Sequence, residues 1–229
     1  MLPLLLAAIL WVAAHVGLAG TPLRDALAAR LGEGGFRAAF SVLSVVLIVL
    51  LVRAFDAAPT TPLWYAPGWL RWLLVLLMLP AFLLFFAAVT ARNPTAVGGG
   101  GLEAPVRGIQ RVTRHPMLWS FALWALVHIV GNGDSAALLF FGAFAVTALA
   151  GMPSLDAKLA RRDPAGWRRF AARTSVLPFG AIAAGRNHLA PRELLAEIGW
   201  LAPALAVLAW GTLLHLHPLL FGVSPLPPG

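Results

Sequence analysis

Six apolar stretches, separated by segments that hold nearly all the charge, constrain this chain more than any other feature. They run over residues 2–19, 36–52, 72–89, 116–130, 135–150 and 199–215. No Asp, Glu, Lys or Arg lies in the middle of any of them. A membrane core about 30 Å thick needs about 20 apolar residues in a helix. The first three stretches reach that length with their flanks. The fourth and fifth are short and joined by Gly131-Asn132-Gly133-Asp134, which predicts a helical hairpin of two short spans or a re-entrant pair. The expected fold is all-α: a single-domain polytopic helical bundle with about six transmembrane helices.

Composition agrees. Of 229 residues, 60% are hydrophobic and 11% charged, against about 25% charged in a soluble domain. Mean hydropathy is +0.83. Lipid is therefore the expected solvent. Cysteine is absent, so disulfides, thiolate ligands and cysteine nucleophiles are excluded. No Lys or Arg precedes Arg24, unlike the basic start of a cleaved leader. Residues 2–19 are read as a retained first span.

The net charge of +8 reads as topology rather than as a nucleic-acid surface. Alternate loops carry fifteen basic residues on one side and two on the other. Positive loops stay cytoplasmic, so both termini are expected on the far side. The lack of charge inside the spans argues against an ion pump or a charge-relay transporter. So does the lack of a clear internal repeat. Segment 156–173 mixes Arg with Leu159, Trp167 and Phe170. It is expected to form an interfacial helix on anionic lipid, or a lid over a cytoplasmic-side pocket.

With no charge in the spans, histidine is the main candidate for chemistry. At about 1.5 Å rise per residue, His15 lies roughly 20 Å in from the outer end of its span. His128 lies roughly 18 Å from the inner face, and the two differ in depth by about 8 Å. His215 approaches the same depth, and depth alone does not choose between them. Trp11 precedes His15 by one turn, and Trp124 precedes His128, each on a shared helix face. Either these are ordinary packing pairs, or each is a flat apolar wall beside an imidazole that could hold a shared cofactor. Thr113-Arg114-His115-Pro116 opens the fourth span, with Pro116 suited to a first helical turn. There His115 would titrate, bind a phosphate or simply cap an interface. Asn93 to Gly101, with its glycine run, lacks the Lys-Ser/Thr of a phosphate loop and reads as linker.

Several of these motifs resemble the NnrU family. They include Leu23-Arg24 with Arg30-Leu31-Gly32-Glu33, Ala58-Pro59 with Pro62-Leu63-Trp64, and Arg92 to Gly98. The run from Thr113 to Trp119 continues through Leu123-Trp124-Ala125 and His128 to Asn132-Gly133-Asp134. Asp156-Ala157-Lys158, Thr174-Ser175 with Pro178-Phe179, and His217-Pro218 with Phe221-Gly222 complete the set. The resemblance covers nearly the whole chain. It implies a multi-pass protein of a bacterial inner membrane linked to denitrification and nitric oxide metabolism, with a reductase as a candidate partner. It also implies kinship with the zeta-carotene isomerases, haem b enzymes that act on a polyene. On that kinship His15 and His128 are the implied haem ligands; on position along the spans, His215 or His217 stands as an alternative ligand. Trp11, Trp124, Arg114, His115 and Asn93 are the further cofactor-binding candidates. A cysteine of the isomerases falls at Ala125 here, which removes that thiolate.

A more distant resemblance, from Arg114-His115-Pro116 and the polar segment with Trp167, Phe170 and Pro178, is to the isoprenylcysteine and phospholipid methyltransferases. It implies S-adenosylmethionine near Arg114 and His115. A third reading is a non-enzymatic accessory protein for a nitrogen-oxide reductase.

Overall fold

A computed structural model describes residues 1–91, 93–95, 101–188 and 190–227. Among the described residues the elements are all helices, with no strand and one isolated antiparallel bridge, Pro62 with Asp134. Helix α1 (Leu2–Val12) runs on as a π-helical turn (Ala13–Leu18). Then follow α2 (Pro22–Asp56), α3 (Gly68–Thr90), a 3-10 turn (Gly108–Arg111), α4 (Pro116–Asn132) and α5 (Ser135–Arg162). The shorter α6 (Pro164–Arg173), α7 (Gly180–Ala183) and α8 (Pro191–Ile198) lead into α9 (Leu201–Phe221). Among the described residues α2, α3, α5 and α9 are long and apolar enough to cross a membrane, and Leu2–Leu18 and Pro116–Asn132 are shorter apolar helices. The architecture is that of a polytopic helical membrane protein.

All six apolar stretches fall on helices, but several helices outrun them. Helix α2 starts at Pro22, well before residue 36, and takes in Arg24 and Arg30. It is two helices meeting at Gly32, whose φ of 74° suits glycine. Helix α5 continues past residue 150 to Arg162, so segment 156–173 is not one interfacial helix. It is the end of α5 followed by α6, which starts where Asp163 accepts the Gly166 N–H at 2.8 Å. Hydropathy senses the lipid-facing length, whereas backbone bonding carries a helix on into polar surroundings.

The chain divides into two compact units, Met1–Ala66 with Ala125–Ser154, and Pro67–Trp124 with Leu155–Gly229. In the first, α1 packs on α2, and residues such as Val42, Val45 and Val49 on α2 stay exposed, as a lipid-facing surface would. The tip of the α4–α5 hairpin is clamped by an earlier segment. The Leu63 and Trp64 amides both donate to the Gly133 carbonyl, the Ser135 amide donates to the Thr61 carbonyl, and the Trp64 indole donates to the Val130 carbonyl. Gly133 sits at φ +67° against Trp64, where a Cβ would collide with that residue's carbonyl. Asp134 then caps α5 through the amides of Ala136 and Ala137, both at 2.9 Å.

In the second unit α3 packs along α9, tied by the Trp210 indole on the Val75 carbonyl at 2.8 Å and by Arg71 on the Ser224 carbonyl at 2.6 Å. Ala87, Ile109, Val112 and Ala202 form its apolar centre, with Leu194 and Ile198 of α8 against them.

Candidate functional sites

His15 sits inside the π-helical turn. Such turns loosen the α-helical ladder and recur at functional positions. Here the Ala19 amide reaches back five residues to the Ala14 carbonyl. His15 Nδ1 lies 2.9 Å from the Trp11 carbonyl. A carbonyl only accepts, so Nδ1 carries the proton and Nε2 keeps its lone pair. Ser44 Oγ is 3.4 Å from Nε2, but its proton goes to the Phe40 carbonyl at 2.8 Å. The result is the arrangement of a metal-ligating imidazole: one nitrogen anchored on backbone, the other free to coordinate.

Rings surround it. Trp11 stacks on His15 with centroids 4.0 Å apart, as the one-turn spacing predicts, and Phe40 meets its edge at 5.3 Å. Trp11 continues to Phe144 at 5.0 Å, Phe144 to Phe140 at 5.3 Å, and Phe140 to Phe141 at 5.0 Å. Phe141 stacks on the His128 imidazole at 4.8 Å. An unbroken aromatic path thus runs from one candidate ligand to the other within the first unit. The Trp11 indole N–H is buried beside it with no hydrogen-bond partner among the described residues. No group of three or more His, Asp or Glu residues gathers among the described residues to hold a bare metal ion. A porphyrin brings four donors of its own and asks the protein for one or two neutral nitrogens. The His15 donor and its flat apolar walls fit that request.

The second unit gathers the other candidates. His115, buried at 1% exposure, places Nε2 2.7 Å from Asp156 Oδ1. Arg114 donates from Nε and Nη2 to Asp156 Oδ2 at 3.0 and 2.8 Å, and its guanidinium lies 5.1 Å from the centre of the Trp167 ring. Thr113 Oγ1 donates to the Val176 carbonyl, accepts the His115 amide and so turns the chain into α4. The Arg114 amide bonds the Ser175 carbonyl, and the Trp119 indole bonds the Val176 carbonyl. His115 is here a buried partner of a carboxylate. Asn93, expected in a flexible linker, is also buried at 1%. Its Oδ1 accepts the Thr95 amide and hydroxyl. Residues 98–100 of the glycine run lie outside the described residues.

Nearby, Glu197 of α8 takes Arg111 in a two-pronged bond, both prongs at 2.7 Å, and accepts the Gly108 amide. Bonding to Arg111 pulls its carboxyl down to about 2 against the opposing effect of burial, and Arg111 is raised above its ordinary range in return. A cavity of about 350 Å³ opens beside it, lined by Ala87, Ala91, Pro94, Ile109 and Ile198.

Trp124 is half-buried on α4, one turn before His128. His215 is exposed on α9, and His217 bonds the Val223 carbonyl at 2.7 Å. Ala125, where the isomerases carry a cysteine, is fully buried. The Phe140, Phe141 and Phe144 ladder and Ser44 were not among the residues marked out by sequence reasoning. The one available signal was the spacing of three Phe on one stretch of α5.

A family model described as "NnrU protein" matches residues 3–225. The chain belongs to the NnrU family. It is 29% identical over 227 residues to the 15-cis-zeta-carotene isomerase, chloroplastic, of Arabidopsis thaliana, covering 96% of this chain and 61% of that protein. It is 30% identical over 224 residues to the protein of the same name from Zea mays, covering 95% and 60%. This NnrU chain therefore spans about three fifths of the length of the relatives it matches. No solved structure matches it.

Proposed function

We propose that this NnrU protein is a membrane-embedded cis–trans isomerase of a polyene, working with haem b held by His15 and His128. The observation that carries the proposal is the His15 imidazole, with Nδ1 fixed on the Trp11 carbonyl and Nε2 receiving no donated proton among aromatic rings; His128 joins it on the family resemblance. The name of the two plant relatives supports the same reaction class. Haem, when bound, supplies a redox-switchable iron that can weaken a double bond for rotation. The chain's own residues do the rest. The Trp11 carbonyl fixes the His15 tautomer. Trp11, Phe40, Phe140, Phe141 and Phe144 form flat walls that suit a conjugated chain and exclude water. Isomerisation changes no atom count and leaves no net charge, so an apolar site without acids or bases suffices. The proposed setting is a bacterial inner membrane with both termini outside, on the charge pattern of the loops.

A methyltransferase reading gains no support at Arg114, whose Nε and Nη2 are both committed to Asp156. Absorption spectra of the detergent-solubilised protein, oxidised and reduced, test the cofactor. A Soret band is expected, and its loss in His15→Ala and in His128→Ala. Colourless protein from haem-replete cells would overturn the haem assignment. Unchanged isomer ratios in cells accumulating a cis polyene would overturn the activity. Co-purification with a nitrogen-oxide reductase subunit, without haem of its own, would make the protein an accessory factor instead.

A further inference from the structure

Two buried polar atoms in the second unit meet nothing. They are His115 Nδ1 and Asn93 Nδ2, on side chains 1% exposed, with no hydrogen-bond partner among the described residues. The partners of each side chain's other polar atom assign these two. Asn93 Oδ1 accepts the Thr95 backbone N–H at 3.1 Å, so the other end of that amide is the NH2. His115 Nε2 faces a carboxylate oxygen at 2.7 Å, and an ionised carboxylate only accepts. Nε2 therefore holds the proton. Arg114 donates to the second oxygen of the same carboxylate. In that tautomer of the neutral ring, Nδ1 presents a lone pair. One orphan is a donor and the other an acceptor.

The two belong to one node. The Thr95 hydroxyl contacts both Asn93 Oδ1 and the carbonyl of Arg114, the residue before His115. Protein interiors rarely leave such groups unmet, and a ligand that meets both must donate and accept. A carboxylate or phosphate ester dianion has no proton for Nδ1, and an ammonium has no lone pair for Asn93. A hydroxyl has both on a single atom.

We propose that Asn93 and His115 form a binding site for one hydroxyl group, whose O–H donates to His115 Nδ1 while its oxygen accepts from Asn93 Nδ2. The Asp156 carboxylate, by anchoring the far side of the imidazole, makes Nδ1 a better acceptor, so the bound hydroxyl is oriented with its proton toward His115. The hydroxyl comes either from a trapped water or from an alcohol on an amphipathic molecule. The site is independent of the isomerase reading and of any haem.

The test is solid-state NMR of the 15N-labelled full chain in phosphatidylcholine vesicles, which offer no lipid hydroxyl, and in phosphatidylglycerol vesicles, which do. His115→Gln and Asn93→Asp assign the two signals; Asn93→Asp keeps the acceptor for Thr95 and removes the donor. A hydrogen-bonded, unprotonated Nδ1 is expected, with magnetisation transfer from one hydroxyl to both Nδ1 and the Asn93 amide. Transfer from water in both vesicles identifies water; transfer in phosphatidylglycerol alone identifies an alcohol. Asn93→Asp should shift the Nδ1 resonance while the Nε2–H signal on Asp156 persists. The wild-type spectrum alone can overturn the proposal. A protonated Nδ1, a bare Nδ1 in both vesicles, or separate partners for the two atoms would each do so.

Discussion

His15 in the first unit and His115 in the second are both half or fully enclosed imidazoles, yet their surroundings differ in kind. His15 is tied to a backbone carbonyl and walled by Trp11 and Phe40. His115 is tied to a carboxylate that Arg114 also grips, on a helix start locked to the Thr174–Val176 strip. The first environment is ring packing with few polar bonds. The second is a bonded polar cluster. In lipid, helices gain little from hiding apolar surface, because the tails outside are as apolar as the interior. Fit and polar bonding then decide what holds each unit, and the two units lean on different ones.

That contrast should show most at Asp156. Asp156→Ala strands Arg114 and His115 without their shared acceptor, and breaking a buried charged pair costs about 4 kcal/mol. Thermal unfolding in detergent should show it. A loss below about 1 kcal/mol would mean the polar cluster does not hold the second unit. In the first unit the comparable injury is to volume. Phe140 is buried against Phe55, Phe141 and Phe144. Phe140→Ala should cost about 3 kcal/mol and Phe140→Leu only about 1. Equal losses for the two would break the comparison, since size would no longer be what matters there.

Acid should touch the second unit through Glu197. Its folded carboxyl is pulled to about 2 from an ordinary 4.5, chiefly by Arg111. The stability it contributes is complete above its unfolded value and fades as pH falls from about 4.5 toward 2. Hydrogen exchange at the α8 amides should accelerate over that window and be flat above it. Acceleration unchanged in Glu197→Gln would show that another group is responsible. The smallest effect is expected at the start of α6. Asp163→Ala removes the bond to the Gly166 amide and should cost about 1 kcal/mol, read as faster exchange confined to α6.

Much of the fold was legible because lipid leaves a plain mark on sequence. A run such as residues 72–89 has few other uses, and Gly131 to Asp134 announced a tight hairpin that Gly133 and Asp134 then make. Helix ends were less legible. Nothing in hydropathy says that α5 continues through Lys158 to Arg162, because solvated charges are as welcome on a helix as in a loop. The site was legible one residue at a time. The Trp11–His15 stack follows from helical spacing alone. The convergence of Arg114 and His115 on Asp156, 42 and 41 residues away, does not. Nor does the burial of Asn93, since a sequence shows a turn-forming Asn-Pro-Thr but not the carbonyl that Thr95 finds.

The π-helical turn at Ala13–Leu18 amounts to one surplus residue inserted in a helix. Each residue of an α-helix advances the face by about 100° and the axis by about 1.5 Å. Deleting a single alanine there would let the helix rewind to α, and because the wider turn already absorbs the extra residue, the flanking helix faces would keep nearly the same direction. The imidazole would come to stand three residues after the indole instead of four, still on a shared face. A gap of one position in this short window would therefore change the setting of residue 15 and spare the rest of the helix.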